Sequence, residues 1–161
     1  MRPREHHRKT VRLFACGERL RGDDSAALRA IEMLPADART LAEVIEVGQL
    51  SVEALLDIPE GAAVIVADAA AGVAPGAVVT LPLQSLTRRD GGATPASSHA
   101  LSPDQVVQLA TELRGMPLRG VFLGIGGAEF GFGEELSPAV AAGLPAFTAA
   151  LAAEIRRLAA Q

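Results

Sequence analysis

The 161-residue chain contains one cysteine, Cys16, and neither tryptophan nor tryptophan-like bulk from tyrosine. A single thiol excludes an internal disulfide and a zinc knuckle built from thiolates. Aromatic residues make up only 3% of the sequence, so stacking surfaces for single-stranded nucleic acid are scarce. Positive charge is not in excess either: the formal net charge is −4 and the sequence pI is near 5.4, the reverse of the basic footprint of a nucleic-acid binder. The basic cluster MRPREHHRK at the amino terminus lacks the apolar core of a signal peptide and reads as a flexible, solvated tail over residues 1–10. No apolar run approaches the roughly 20 residues needed to span a bilayer, so a cytoplasmic location is expected. The sequence also lacks a phosphate loop, a G-x-S-x-G elbow and an H-E-x-x-H helix, and its late GIGGAEFGFG run has no acidic residue about 20 positions on. Serine hydrolase and zincin chemistry therefore have no support, and nucleotide binding is a weak reading.

What remains is an ordinary globular composition, 49% hydrophobic and 21% charged, in a length that fits one domain, residues 11–161. Val11 to Cys16 is a short apolar run before Gly17, as a buried strand requires, and Ala26, Ala27, Ala30, Ile31 and Leu34 then recur at helical spacing until Pro35. Glu43 to Val47 is the next strand, and Ser51 caps a short helix ending at Leu56. Ala62 to Ala67, AAVIVA, is the most strand-like run and should be central. Ala77 to Leu83 follows after a short Gly/Pro loop, which implies an antiparallel edge strand. Thr87 to Ser98 has no apolar period and reads as a loop. A helix starts near Ser102 and Pro103 and ends at Gly115 to Pro117; Arg119 to Ile125 is the last strand. A long helix runs from Ser137 to about Ala160, with a kink or break expected at Gly143 and Pro145. Alternating strands and helices specify an α/β three-layer sandwich: a mostly parallel five-stranded twisted sheet, one antiparallel edge strand and helices on both faces. Such sheets bind ligands beyond the carboxyl ends of their strands, which singles out one rim holding Gly17 and Glu18, Gly48 and Gln49, Asp68, and Gly126.

On that rim, Asp68 ends a buried apolar run, where its carboxylate needs a metal, a cation or amides as partners; a cap for a loop or helix is the competing reading. Asp23 and Asp24 open a helix, and one should cap it while the other projects toward the strand ends. A shared hard or borderline cation would relieve repulsion between the projecting carboxylate and Asp68. His99 is the one histidine outside the amino-terminal tail and so the one candidate internal imidazole. Imidazole with carboxylates suits nickel, zinc, iron or manganese better than calcium or magnesium. Cys16 is expected to be a small core hydrophobe.

The segments GERLRGDD, VIVADA and SSHALSP occur in an order that resembles the nickel-iron hydrogenase maturation proteases, over roughly Val11 to Leu158. The resemblance implies a phosphorylase/hydrolase-like fold and an endopeptidase, of aspartic type, that removes the carboxyl-terminal extension of a nickel-loaded hydrogenase large-subunit precursor. It places Asp24, Asp68 and His99 on the catalytic and metal-contacting positions, with nickel supplied by the substrate and the protein a monomer. Asp24 is then the metal residue and Asp23 the cap. The sequence departs from the family's pattern at Ala15, where Gly is usual, at Glu18, where Asn is usual, at Ser25, and in the turn Glu46 to Gln49, EVGQ, where a DGGT-like turn is usual. Glu18 could add a further ligand or a general base. The alternative is a non-proteolytic nickel- and precursor-binding chaperone on the same fold, its altered turn having lost cleavage.

Overall fold

Apolar residues alternate with solvent-facing ones along two edge strands, while the inner strands are apolar on both faces, and this pattern sorts the chain into layers. The computed structural model describes residues 10–86 and 101–161. Strands β1 (Val11–Cys16), β2 (Ala42–Val47), β3 (Ala63–Ala70), β4 (Val78–Pro82) and β5 (Arg119–Gly126) form a five-stranded sheet of order β2-β1-β3-β5-β4. β1, β2, β3 and β5 are parallel; β4 is antiparallel. The expected architecture is observed. β4 is the antiparallel edge strand and pairs with β5, not with β3, which it immediately follows in the chain. Gly126 makes this possible, since a Cβ there would lie 2.1 Å from the Ala74 carbonyl oxygen, and the loop between β3 and β4 crosses over it.

On one face pack α1 (Ala26–Glu32), α2 (Ala36–Leu41) and α6 (Pro138–Ala159), closing a core with Leu13, Ile65, Leu123, Ile125, Phe147 and Leu151. On the other pack α3 (Val52–Leu56), α4 (Leu83–Leu86) and α5 (Pro103–Arg114) over Phe14, Cys16, Val64, Val66 and Val107. α2 was not foreseen in the sequence; Pro35, read as a stop for α1, also starts the next helix. Leu83 belongs to α4 and not to a strand. α5 has the reciprocal Ser102–Gln105 capping box and ends at Gly115, whose φ of 71° is left-handed.

α6 is one continuous helix of 22 residues, so the expected break does not occur. Pro145 stands on its exposed side, where the carbonyl left without a helical donor can turn to water. Gly143 lies toward the body of the protein, and a Cβ there would come within 2.3 Å of the Gly76 carbonyl oxygen. α6 is long and apolar enough to cross a membrane by length and composition alone, contrary to the expectation that no segment reaches that length. Alanines raise its hydropathy without large side chains. In this fold Val140, Leu144, Phe147, Leu151, Ile155 and Leu158 are buried against the other elements.

Candidate active site

The strand order reverses between β1 and β3: β1 leads outward to β2 on one side, and the chain returns to add β3 on the other. Open α/β sheets place their ligand crevice beyond the strand ends at such a switch point. A cleft of about 1110 Å³ lies there, lined by Gly17, Glu18, Asp24, Gly48, Gln49 and Asp68 among others. Gly126 ends β5 on this rim, as expected, but it is not among the residues lining the cleft and instead serves the loop crossing described above.

Gly17 makes the first turn of the cleft possible. Its φ is 137°, and a Cβ would stand 1.8 Å from the Asp24 carbonyl oxygen, so only glycine fits. Its N–H donates to the Val47 carbonyl at 3.0 Å, which ties the end of β1 to the EVGQ turn. The next amide, Glu18 N–H, donates to Asp24 Oδ2 at 3.0 Å. That contact orients Asp24 across the loop. Burial pushes the Asp24 carboxyl above its ordinary value, with the Glu18 amide opposing and the Glu18 charge assisting the rise.

Asp68 lies within β3, two residues before its end, and continues the row of Val64 and Val66 on the face occupied by Cys16. Burial pushes its carboxyl up to about 7, the Asp24 charge adds to the rise, and the Ala69 amide only partly opposes it. Asp24 and Asp68 are therefore brought together at the cleft, where the Asp24 charge disfavours ionisation of Asp68. The thiol of Cys16 is raised by burial and by both carboxylates, so it remains a protonated core group, as expected. His99 lies outside the described residues; Leu101, two positions later in sequence, lines the cleft. Glu18 is exposed, and its Oε1 would be 2.8 Å from a Cβ on Gly48, so it reaches across toward the EVGQ turn.

Asp23 is not a helix cap. Gly22 to Ser25 form a turn of 3-10 helix before α1, and neither segment has a side-chain cap. Asp23 is instead fully buried and accepts four hydrogen bonds: from the N–H groups of Ala128 and Glu129 at 2.8 Å each, from Ser137 N–H at 2.7 Å and from the Ser137 hydroxyl at 2.8 Å. Burial alone would raise its carboxyl, but these donors outweigh burial and hold it below the ordinary value. The same loop is paired backbone to backbone, with Gly22 N–H donating to the Gly133 carbonyl and Gly133 N–H to the Leu20 carbonyl. No local signal could have shown this role, because its partners lie more than a hundred residues away.

A model of the hydrogenase maturation protease family matches residues 28–154. The chain belongs to the hydrogenase maturation protease family. The match begins just after Asp24, so the Gly17 to Asp24 loop precedes it. Solved structures agree on the fold of this maturation protease. The hydrogenase maturating endopeptidase HybD from Escherichia coli superposes with a TM-score of 0.67 at 20% identity, covering 91% of this chain and 92% of that one. The maturation protease HybD from Thermococcus kodakarensis gives 0.62 at 25% identity over 87% and 95% of the two chains. HycI from the same organism gives 0.63 at 19% identity over 92% and 93%. No curated protein matches by sequence. The family is one of endopeptidases acting on hydrogenase large-subunit precursors, which favours the protease reading over the chaperone alternative.

Proposed function

We propose that this endopeptidase removes the carboxyl-terminal extension of a nickel-loaded hydrogenase large-subunit precursor in the cytoplasm, using Asp24, Asp68 and His99. The observation that carries the proposal is the half-buried carboxylate pair at the switch-point cleft: the Asp24 charge disfavours ionisation of Asp68, the Arg21 charge only partly offsets the rise at Asp24, and among the described residues no cation side chain forms an ion pair with either. Such a pair fits a divalent cation arriving with the substrate, since hard oxygen donors at a site that disfavours their charge gain most from it. Nickel held in the precursor supplies Lewis acidity, which can polarise the scissile carbonyl or acidify a water.

The chain's own contribution is orientation and proton handling. The Glu18 amide fixes Asp24, the strand row fixes Asp68, and a carboxyl whose value lies near 7 can take a proton from an attacking water and return it to the leaving amine. The free protein should bind nickel weakly, because two carboxylates and an imidazole without the precursor's own ligands make an incomplete site. The proposal is tested by following precursor mass with wild type and with Asp24→Ala, Asp68→Ala and His99→Ala. Loss of processing in each variant is expected. Processing at the wild-type rate in all of them would overturn the assignment of these residues.

A further inference from the structure

Among five phenylalanines in a chain without tryptophan or tyrosine, Phe132 is 88% exposed. Its neighbour in the same loop, Phe130, folds back so that its ring would meet a Cβ on Gly127, while Phe132 turns outward and lines the cleft. Leu20, 55% exposed, lines the same cleft from the opposite loop. The two loops are not independent. Arg21 and Gly133 form a parallel bridge, Gly22 and Gly133 exchange hydrogen bonds with the facing backbone, and the Arg21 guanidinium lies 5.7 Å from the centre of the Phe132 ring. Asp23 anchors the base of this rim through its four buried hydrogen bonds.

An exposed apolar pair normally costs solubility, and a large exposed aromatic on a backbone-stiffened loop beside a cleft has the character of an interface anchor. The backbones of the two loops are already tied together, so little further backbone entropy is lost on contact. The Arg21 cation holds one side of the ring, leaving the other side and the Leu20 side chain to meet an apolar group. We propose that Leu20, Arg21 and Phe132 form the docking surface for the hydrogenase large-subunit precursor, receiving an apolar side chain of that protein beside the cleft. The inference rests on the reading of the cleft as the cleavage site, with which this rim is continuous. Docking there separates recognition of the precursor body from the chemistry at Asp24 and Asp68.

The test measures cleavage of the nickel-loaded precursor by intact mass over a range of precursor concentrations, and binding of the same precursor by calorimetry. Wild type is compared with Phe132→Ala, Phe132→Leu and Leu20→Ser, with thermal unfolding used to verify folding. A KM increase of about tenfold or more in Phe132→Ala, with kcat within about twofold and partial rescue in Phe132→Leu, is expected. Unchanged KM and affinity in both Phe132→Ala and Leu20→Ser would overturn the docking surface while leaving the cleavage reading intact. If wild type does not cleave the precursor, the cleavage reading fails, and calorimetry with the same variants decides docking by itself. If the variants instead abolish self-association in sedimentation and leave precursor affinity unchanged, the rim serves a second copy of this chain and the proposal is overturned.

Discussion

Asp68 occupies a strand row whose preceding members, Val64 and Val66, are fully buried, and its value of about 7 makes the site a cost to the fold. An ordinary aspartate in an unfolded chain titrates near about 4. The folded value lies above the unfolded one, so stability is greatest where both states are protonated, falls as pH rises from about 4 to about 7, and levels off beyond. Asp68→Asn in the metal-free protein should therefore be more stable than wild type by about 2–4 kcal/mol at pH 8, with the gap closing near pH 4. Denaturant unfolding at the two pH values checks it, and an equal difference at both would contradict the burial argument. Asp23 has the opposite sign. Its folded value is depressed, so its contribution is present above about pH 4 and fades as pH falls through that lower value. Asp23→Asn should cost about 3 kcal/mol at pH 7, because a neutral amide replaces a carboxylate that accepts four hydrogen bonds, and the deficit should narrow in acid. Of these two residues only Asp68 was legible in the sequence as a cleft residue, since a carboxylate closing an apolar run is a local anomaly. Asp23 looked like a cap, because an acidic pair before a helix usually supplies one and its true partners come from the other end of the chain.

Elements set by a local rule were read well, and elements set by a distant neighbour were not. β1, β2, α3 and α5 follow from apolar period, Ser caps and Gly stops, and the structure has them within a residue or two of the expected bounds. The partner of β4 depends on Gly126 allowing a chain crossing, and the continuity of α6 depends on Pro145 facing outward; neither is a property of the segment alone. The loop after β1 has an element-scale consequence of its own. Gly17→Ala would drive a methyl into the Asp24 carbonyl, so the Glu18–Asp24 contact cannot persist, and precursor processing should be lost together with stability. Gly61 is the matched control, since its φ is 83° but nothing lies within 4 Å of a Cβ there. Gly61→Ala should lower stability by only about 1 kcal/mol and leave processing unaffected. Equal effects of the two substitutions on processing would show that the close approach at Gly17 is not what shapes the cleft.

At the scale of the molecule, a sheet covered on both faces holds the two carboxylates at a fixed switch point, and the apolar cores on either side keep them there. Phe147, fully buried between α6 and the sheet, reports on that scaffold: Phe147→Ala should cost about 3–5 kcal/mol by calorimetric or denaturant unfolding, without changing the carboxylate pair itself. The layered fold was legible from the order of strands and helices, and the switch-point rule placed Gly17, Gly48 and Asp68 on one rim. Which surface meets the precursor was not, because Leu20 and Phe132 come together only through pairing of two loops far apart in sequence. Cleavage of a precursor carrying nickel is the function proposed for this cleft. Its most direct test is intact-mass measurement of nickel-loaded and metal-free large-subunit precursor after incubation with the wild-type protein. Loss of the carboxyl-terminal extension from the nickel-loaded precursor alone is expected; an unchanged mass for both, or equal cleavage of both, would rule out nickel-dependent cleavage at this cleft.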